Sequence, residues 1–224
     1  MEQPGAPTRL TGAVQDLASH VVSALRSGDH IGVLSAAVSG AGENALGLAA
    51  VRVLGADALL PAVARRTRPD ADDLAVFEQA VRAFPPAPGA SPTSVWSHWA
   101  MRHGIGADGD AEPSTAWLDV APWQVLTHQL AVLAALAVPG RDSGVYRSAA
   151  RRPVDVARGF VRAVRRRDWQ QAAAAGRWLT LLPGVPDTLG LDRGLEFVAL
   201  MGGADPRVEL QLQAARLLRA GAPV

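Results

Sequence analysis

Histidine, carboxylate, arginine and tryptophan side chains carry the chemistry available to this 224-residue chain, which contains no cysteine and no lysine. The lack of cysteine excludes disulfides, thiolate metal sites and cysteine nucleophiles, and the lack of lysine excludes Schiff-base and P-loop lysines. None of the five histidines occurs in an H-E-x-x-H, H-x-H or E-x-x-H spacing. The sequence therefore predicts no metal site, and it leaves any cofactor unknown.

Tryptophan and histidine are concentrated in one central segment, since four of six Trp and three of five His lie between Trp96 and His128. Helical proteins commonly build small-molecule pockets from aromatic walls and a proton-transferring group, so this segment is a candidate site. Packing in the core is the alternative, because buried Trp and His are more often core residues. The candidate ligand-binding residues are Trp96, Trp99, Trp123 and Gln124; if the protein is an enzyme, the catalytic candidates are His103, His128 and Asp119.

A narrow strip of polar and small residues runs along the helix predicted after Pro122, where Gln124 and His128 align with Ala131 and Ala135. This strip lies beside the main apolar face of that helix. Such a strip either lets another helix approach closely, which is the favoured interpretation, or lines a cavity.

Arginine is clustered near the start of the C-terminal third, with eight residues between Arg147 and Arg167 and Asp155 as the only acid among them. On the helix predicted from Pro153, four of them form a stripe opposite an apolar face. We expect this stripe to pair with acidic groups, either of the acidic N-terminal half or of a protein partner. The candidate partner-binding residues are Arg158, Arg162, Arg165 and Arg166.

Two acidic patterns are interpreted as structural rather than catalytic. D-A-D-D at Asp70–Asp73 resembles the acid motif of class II terpene cyclases, but it follows arginines and a proline at a helix start, where carboxylates cap free amides. The loop with Asp108, Asp110 and Glu112 alternates acids as calcium loops do, but Pro113 occupies the position where the EF-hand turn needs glycine. We expect a helix cap and a solvated loop.

Helical periodicity dominates the chain, and no segment alternates as a strand would. One helix face contains Val14, Leu17, Ala18, Val21, Val22 and Leu25, with Thr11 as the expected N-cap and Gly28 after the end. Further helices are predicted from about Val95 to His103, from Pro122 to Val138 and from Pro153 to about Arg167. The fold class is therefore all-α, with about ten to twelve helices in stacked antiparallel hairpins, an irregular repeat-like bundle.

The predicted organisation is a flexible N-terminal tail over residues 1–10 and a single all-α domain over residues 11–224. Within that domain we distinguish a helical part 11–84, a Pro-rich crossover 85–93, a Trp/His-rich centre 94–138 and an Arg-rich helical part 153–221. No signal peptide or membrane-spanning segment is expected, so the predicted location is cytoplasmic. The all-Arg, Ala-rich composition indicates a GC-rich bacterial genome.

Three functions remain open at the level of sequence. A helical binding or accessory protein that acts through a protein partner is favoured, because no nucleophile or phosphate-binding motif is found. A small-molecule enzyme or binder with its pocket in the Trp/His-rich centre, with biosynthetic or oxidative chemistry, is the second. Nucleic-acid binding through the 147–167 arginines is the third and least favoured, since the chain has a net charge of only +1 and lacks a nucleic-acid-binding motif.

Overall fold

The computed structural model of the chain describes residues 6–28, 31–38, 44–106 and 111–220, and these contain helices and no strand. The predicted all-α class is confirmed. Short 3₁₀ segments occur at Gly55–Leu59, Ala134–Leu136 and Asp187–Leu189. The α-helical segments are α1 (Ala6–Ser27), α2 (Val33–Val38), α3 (Asn44–Leu54), α4 (Leu60–Arg65), α5 (Ala71–Ala83), α6 (Pro92–Gly104), α7 (Ala116–Asp119), α8 (Trp123–Val132), α9 (Gly144–Ala150), α10 (Pro153–Arg165), α11 (Trp169–Leu179), α12 (Leu191–Gly202) and α13 (Pro206–Ala220).

These elements form two compact units. Unit 1 contains the described residues of Met1–Ala90 and Ser97–Asp110, and unit 2 contains those of Ser91–Trp96 and Ala111–Val224. The division falls within α6. A single domain over residues 11–224 stays a prediction.

The first helix begins earlier than the sequence predicts. α1 starts at Ala6, so residues 6–10, predicted as part of a flexible tail, are helical, while residues 1–5 lie outside the described part. Thr11 is not the N-cap, because its hydroxyl lies inside the helix and donates to the Pro7 carbonyl oxygen at 3.0 Å. Pro7 is compatible with this early start, since a proline in the first turn loses no helical hydrogen bond.

The core of unit 1 is built on the predicted apolar face of α1. All six residues of that face are buried, and α3, with α2 and α4, packs against it. Helix α5 closes the unit against α2 and α3 and contributes the buried Phe77. Gly28 follows the helix with a φ of 93°, a left-handed conformation that glycine adopts without steric cost.

The D-A-D-D segment caps two helices. Asp70 accepts backbone N–H bonds from Asp72 and Asp73 at the start of α5, which confirms the capping interpretation. Asp73 is buried and reaches α2, where its carboxylate accepts the N–H groups of Val33, Leu34 and Ser35 at 2.9–3.0 Å. The first N–H groups of a helix have no acceptor within the helix. The Asp73 carboxylate supplies the hydrogen-bond acceptor for these three N–H groups at the start of α2.

One stretch of the described residues, Asn44–Arg65, is long and apolar enough by composition to cross a membrane. It consists of α3, a 3₁₀ segment and α4, and 61% of its most apolar window is buried within the fold. Asp57 lies in its middle and is buried. Such burial is typical of a core segment that has other helices on every side.

The Pro-rich crossover is shorter than predicted. α5 ends at Ala83 and α6 begins at Pro92, three residues before the predicted start at Val95. Ser91 caps α6 by accepting the Ser94 N–H at 3.2 Å, and Pro92 takes the first helical position, where its missing N–H costs nothing.

Helix α11 is the centre of unit 2. It packs against α8, α10, α12 and α13, and every residue from Ala172 to Leu179 is buried. Four consecutive alanines let neighbouring helices approach from several sides. Arg177 is fully buried here; its Nε donates to the Ala137 carbonyl at 3.1 Å and its Nη1 to Gln211 Oε1 at 2.9 Å.

The long helix predicted from Pro122 to Val138 is interrupted. α8 ends at Val132 and a 3₁₀ segment follows over Ala134–Leu136. The buried indole Nε1 of Trp178 donates to the Leu130 carbonyl at 2.7 Å, the carbonyl that a continuing α-helix would bond to Ala134. A tertiary contact from α11 thus replaces a helical bond, and no local sequence signal marks the position.

Helices α8 and α10 approach closely at a glycine. A side chain at Gly159 would collide with Thr127, which bonds to the Trp123 carbonyl at 2.7 Å. Because glycine has no side chain there, α10 lies directly on α8. This contact places the N-terminal turn of α8, with Trp123, beside the exposed face of α10.

Candidate binding groove

Helix α10 has two chemically different faces. The inner face is buried and contains Val156, Ala157, Gly159, Phe160 and Ala163. The outer face carries the four arginines of the predicted stripe, all exposed, together with Val154 and Val161, which are 47% and 37% exposed. The sequence predicted this division correctly, and the structure adds two exposed apolar residues to the outer face.

The outer face forms one wall of an open groove in unit 2, with a volume of about 790 Å³. The opposite wall comes from Pro186, Thr188 and Leu189, at the 3₁₀ segment before α12. Trp123 lies at one side. The lining residues are Trp123, Val154, Ala157, Arg158, Val161, Arg162, Arg165, Arg166, Pro186, Thr188 and Leu189.

The groove carries an excess of positive charge. Arg158 lies 3.3 Å from Asp155, but that carboxylate also binds Arg152 at 2.8 Å. No carboxylate of the described residues lies within salt-bridge distance of Arg162, Arg165 or Arg166. Three guanidinium groups thus remain available to an anionic ligand, and they lie beside apolar side chains.

Trp123 and the arginine stripe, predicted as parts of two different sites, meet in this groove. The guanidinium carbon of Arg162 lies 5.6 Å from the centre of the Trp123 ring, within cation–π range. The contact places the guanidinium group of the exposed Arg162 over the half-buried indole.

A smaller polar pocket of about 290 Å³ adjoins the groove and shares Trp123, Arg162 and Arg166 with it. Gln124 and His128, both exposed, line this pocket with Asp168 and Gln171. Two residues of the predicted strip on α8, Gln124 and His128, therefore line a cavity. The interpretation favoured from the sequence was close packing against another helix.

The other candidate ligand-binding and catalytic residues of the Trp/His-rich centre lie elsewhere. Trp96 is fully buried in unit 2 and its Nε1 donates to the Ser114 carbonyl at 3.1 Å. Trp99 and His103 belong to unit 1, where their rings stack with centres 4.9 Å apart. Of the candidate residues, Trp123, Gln124 and His128 line the polar pocket of unit 2, and Trp99 and His103 form a stacked pair within unit 1.

Asp119, the third catalytic candidate, lies at the end of α7 and binds α9. Its Oδ1 accepts from the Ser148 hydroxyl at 2.8 Å and from Arg151. The Ser148 hydrogen bond, opposed in part by burial, acts with Arg151 and Arg152 to lower the pKa of Asp119. A carboxyl group with a lowered pKa is a poor proton donor near neutral pH, and these contacts fit a structural role.

The second wall of the groove was not found from the sequence. Pro186 and Leu189 lie in a loop with no arginine and no aromatic residue, some twenty residues after α10. No residue of the 3₁₀ turn Asp187–Leu189 is buried, so its pattern carries no core signal. The partner of that turn cannot be identified without the tertiary fold.

Among the described residues there is no group of three or more metal-ligating side chains that could hold a metal ion. Glu112 of the predicted solvated loop bonds to the Gly144 N–H and to Arg147, while Asp108 and Asp110 lie outside the described residues. No protein-family model matches the sequence, and no curated protein and no solved structure matches it significantly.

Proposed function

We propose that the protein is a cytoplasmic binding or accessory protein whose α10 groove takes an acidic, amphipathic segment of a protein partner. The observation that carries this proposal is the combination of three arginines without an acidic partner in the described structure and exposed valines in one groove. Apolar contacts supply affinity and the guanidinium groups select acidic residues.

The dimensions of the groove suit a peptide segment. From Val154 to Arg166 the α10 wall is about 18 Å long at 1.5 Å per residue, which accommodates about three turns of a bound helix. Apolar side chains of the partner would lie between Val161 and Leu189. Glutamate or aspartate residues on its flank would then face Arg162 and Arg165. The guanidinium groups of these arginines are fork-shaped donors whose geometry matches that of a carboxylate.

A protein segment is favoured over nucleic acid because apolar side chains take part in the groove. Phosphate backbones are bound by arginine with polar side chains, and bases stack on exposed aromatic rings. Here the half-buried Trp123 ring lies against Arg162, and apart from the arginines and Thr188 the rest of the lining is Val, Ala, Pro and Leu.

The test is the binding of a fluorescent helical peptide, with apolar residues at i, i+4 and i+7 and glutamates beside them, measured by anisotropy. We expect a Kd of about 10 µM or tighter, and a loss of at least about tenfold for Arg162→Glu with Arg165→Glu, since two attractive charges become repulsive. Arg68→Glu with Arg82→Glu makes the same change in net charge at exposed positions of unit 1 and is the matched control.

A scrambled peptide of the same composition keeps the charge but loses the apolar face, so it should bind the wild type weakly. The proposal is wrong if both peptides bind equally, or if the control variant loses as much affinity as the groove variant. If the wild-type protein binds a DNA or RNA duplex and binds neither peptide, the nucleic-acid alternative is favoured.

A further inference from the structure

The polar pocket beside the groove has the features of a small-molecule site in its own right. It lies between α8, the C-terminal end of α10 and the N-terminal end of α11. Its volume of about 290 Å³ is close to that of the smallest ligand pockets found in proteins. Its wall is formed mainly by polar side chains, in contrast to the valines of the groove.

The pocket is lined by two positively charged side chains and one negatively charged side chain. Arg162 and Arg166 supply two cationic groups that pair with no carboxylate of the described residues. Asp168 supplies one carboxylate, of which Oδ1 accepts the Gln171 N–H at 3.1 Å. A ligand that matches this wall therefore carries more negative than positive charge and also a hydrogen-bond donor.

Four further polar side chains line the pocket. The amides of Gln124 and Gln171 and the ring of His128 can each donate to an oxyanion or accept from a hydroxyl. The hydroxyl of Thr127 is engaged with the Trp123 carbonyl, so it supports the wall rather than the ligand.

We propose that this pocket binds a small carboxylate with a hydroxyl or ammonium group beside the carboxylate. The ligand carboxylate pairs with Arg162 and Arg166, and its neighbouring donor bonds to Asp168. This site adjoins the groove and shares Trp123, Arg162 and Arg166 with it, but it does not depend on a protein partner.

The experiment uses three four-carbon dicarboxylates as probes, titrated by calorimetry at low ionic strength into the full chain. L-malate and L-aspartate have a hydroxyl and an ammonium group where succinate has neither. We expect malate and aspartate to bind with a Kd of about 1 mM or tighter and succinate about tenfold more weakly, since succinate has no donor beside its carboxylate to bond to Asp168.

Two variants test the assignment of groups. Arg166→Gln should weaken malate binding at least about tenfold, whereas Arg165→Gln, the adjacent exposed arginine that lines only the groove, should change it less than about twofold. Asp168→Asn keeps a residue that caps helices well, so α11 should remain folded. In this variant the preference for aspartate over succinate should disappear, because the neutral amide, whose oxygen caps α11, leaves only an NH2 donor toward the ligand's ammonium group.

The proposal is overturned if malate and aspartate both fail to bind the wild type, or if Arg165→Gln and Arg166→Gln lose equal affinity. It is also overturned if Asp168→Asn keeps the preference for aspartate over succinate. Failure here is distinguishable from failure of the groove, because Val161→Ser should weaken the acidic peptide and leave malate binding unchanged.

Discussion

Single polar residues hold distant parts of this chain together through backbone groups. Asp73 of α5 fixes the start of α2 some forty residues earlier in the sequence, and Trp178 of α11 fixes the end of α8. In each case the side chain satisfies a polar group that a helix end leaves without a partner. These residues therefore determine where elements begin and end as well as how they pack.

Replacement of Asp73 by alanine should lower the free energy of unfolding by about 2–4 kcal/mol, because three N–H groups of α2 lose a charged acceptor in a buried place. Urea denaturation measures this change. Asp72→Ala is the matched control, since Asp72 is exposed on the same helical turn and should cost less than about 1 kcal/mol. Equal losses in the two variants would contradict the capping role.

Asp119 makes a pH-dependent contribution to stability. Its pKa is lowered in the folded state, so the ionised form stabilises the fold above the ordinary pKa, and this contribution is lost as the pH falls through the folded-state value. Wild type should exceed Asp119→Asn in stability by up to about 1 kcal/mol at pH 7, since the pair is exposed. At pH 3, below the ordinary pKa of an aspartate, the difference should be smaller than at pH 7. Urea unfolding of both proteins at the two pH values checks this, and a difference that grows on acidification would be contrary to it.

Among the candidate site residues, sequence reasoning succeeded where exposure follows from periodicity. The stripe of Arg158, Arg162, Arg165 and Arg166 is exposed because the helix that carries it has an unambiguous apolar face. Trp96 and Trp99 are indistinguishable from Trp123 by residue type and local pattern. Which indole faces a cavity depends on what the rest of the fold packs against it.

At the scale of elements, the contact between α8 and α10 determines the groove, because it fixes Trp123 relative to the arginine stripe. The contact depends on a glycine where a side chain would meet Thr127. Small residues at a helix crossing permit this approach, and any larger residue must push the helices apart.

We expect Gly159→Ala to destabilise the protein by about 1–3 kcal/mol and to weaken peptide binding, since α10 moves away from α8. Gly12→Ala, in α1 where no heavy atom lies within 4 Å of the added carbon, should instead stabilise by about 0.5–1 kcal/mol. Thermal unfolding of the pair provides the measurement. A neutral or stabilising Gly159→Ala would show that the helices do not meet as described.

Element types were predicted better than element ends. The periodicity indicated helices throughout, and Asp70 marks a helix start as expected. The early start of α1 and the early end of α8 were missed, because the first depends on a proline that the first turn tolerates and the second on a tertiary hydrogen bond from Trp178.

At the scale of the molecule, the groove is assembled in unit 2 from three separate segments of the chain. Two of them, the start of α8 and the outer face of α10, carry residues that composition alone singles out. The third, around Pro186–Leu189, supplies the apolar wall that turns a basic surface into an amphipathic groove. The arginine stripe alone indicates an acidic partner. The apolar wall is what indicates that the partner segment is amphipathic.

The most direct test is to locate the bound acidic peptide with a photo-reactive residue placed at Val161 or at Val132. Val161 lines the groove, whereas Val132 is 55% exposed at the end of α8 and does not line it. We predict cross-linking from position 161, little from position 132, and loss of the cross-link when Arg162 and Arg165 are both changed to glutamate. Equal cross-linking from the two positions, or a cross-link from 161 that survives the charge reversal, would contradict the proposed role of the groove.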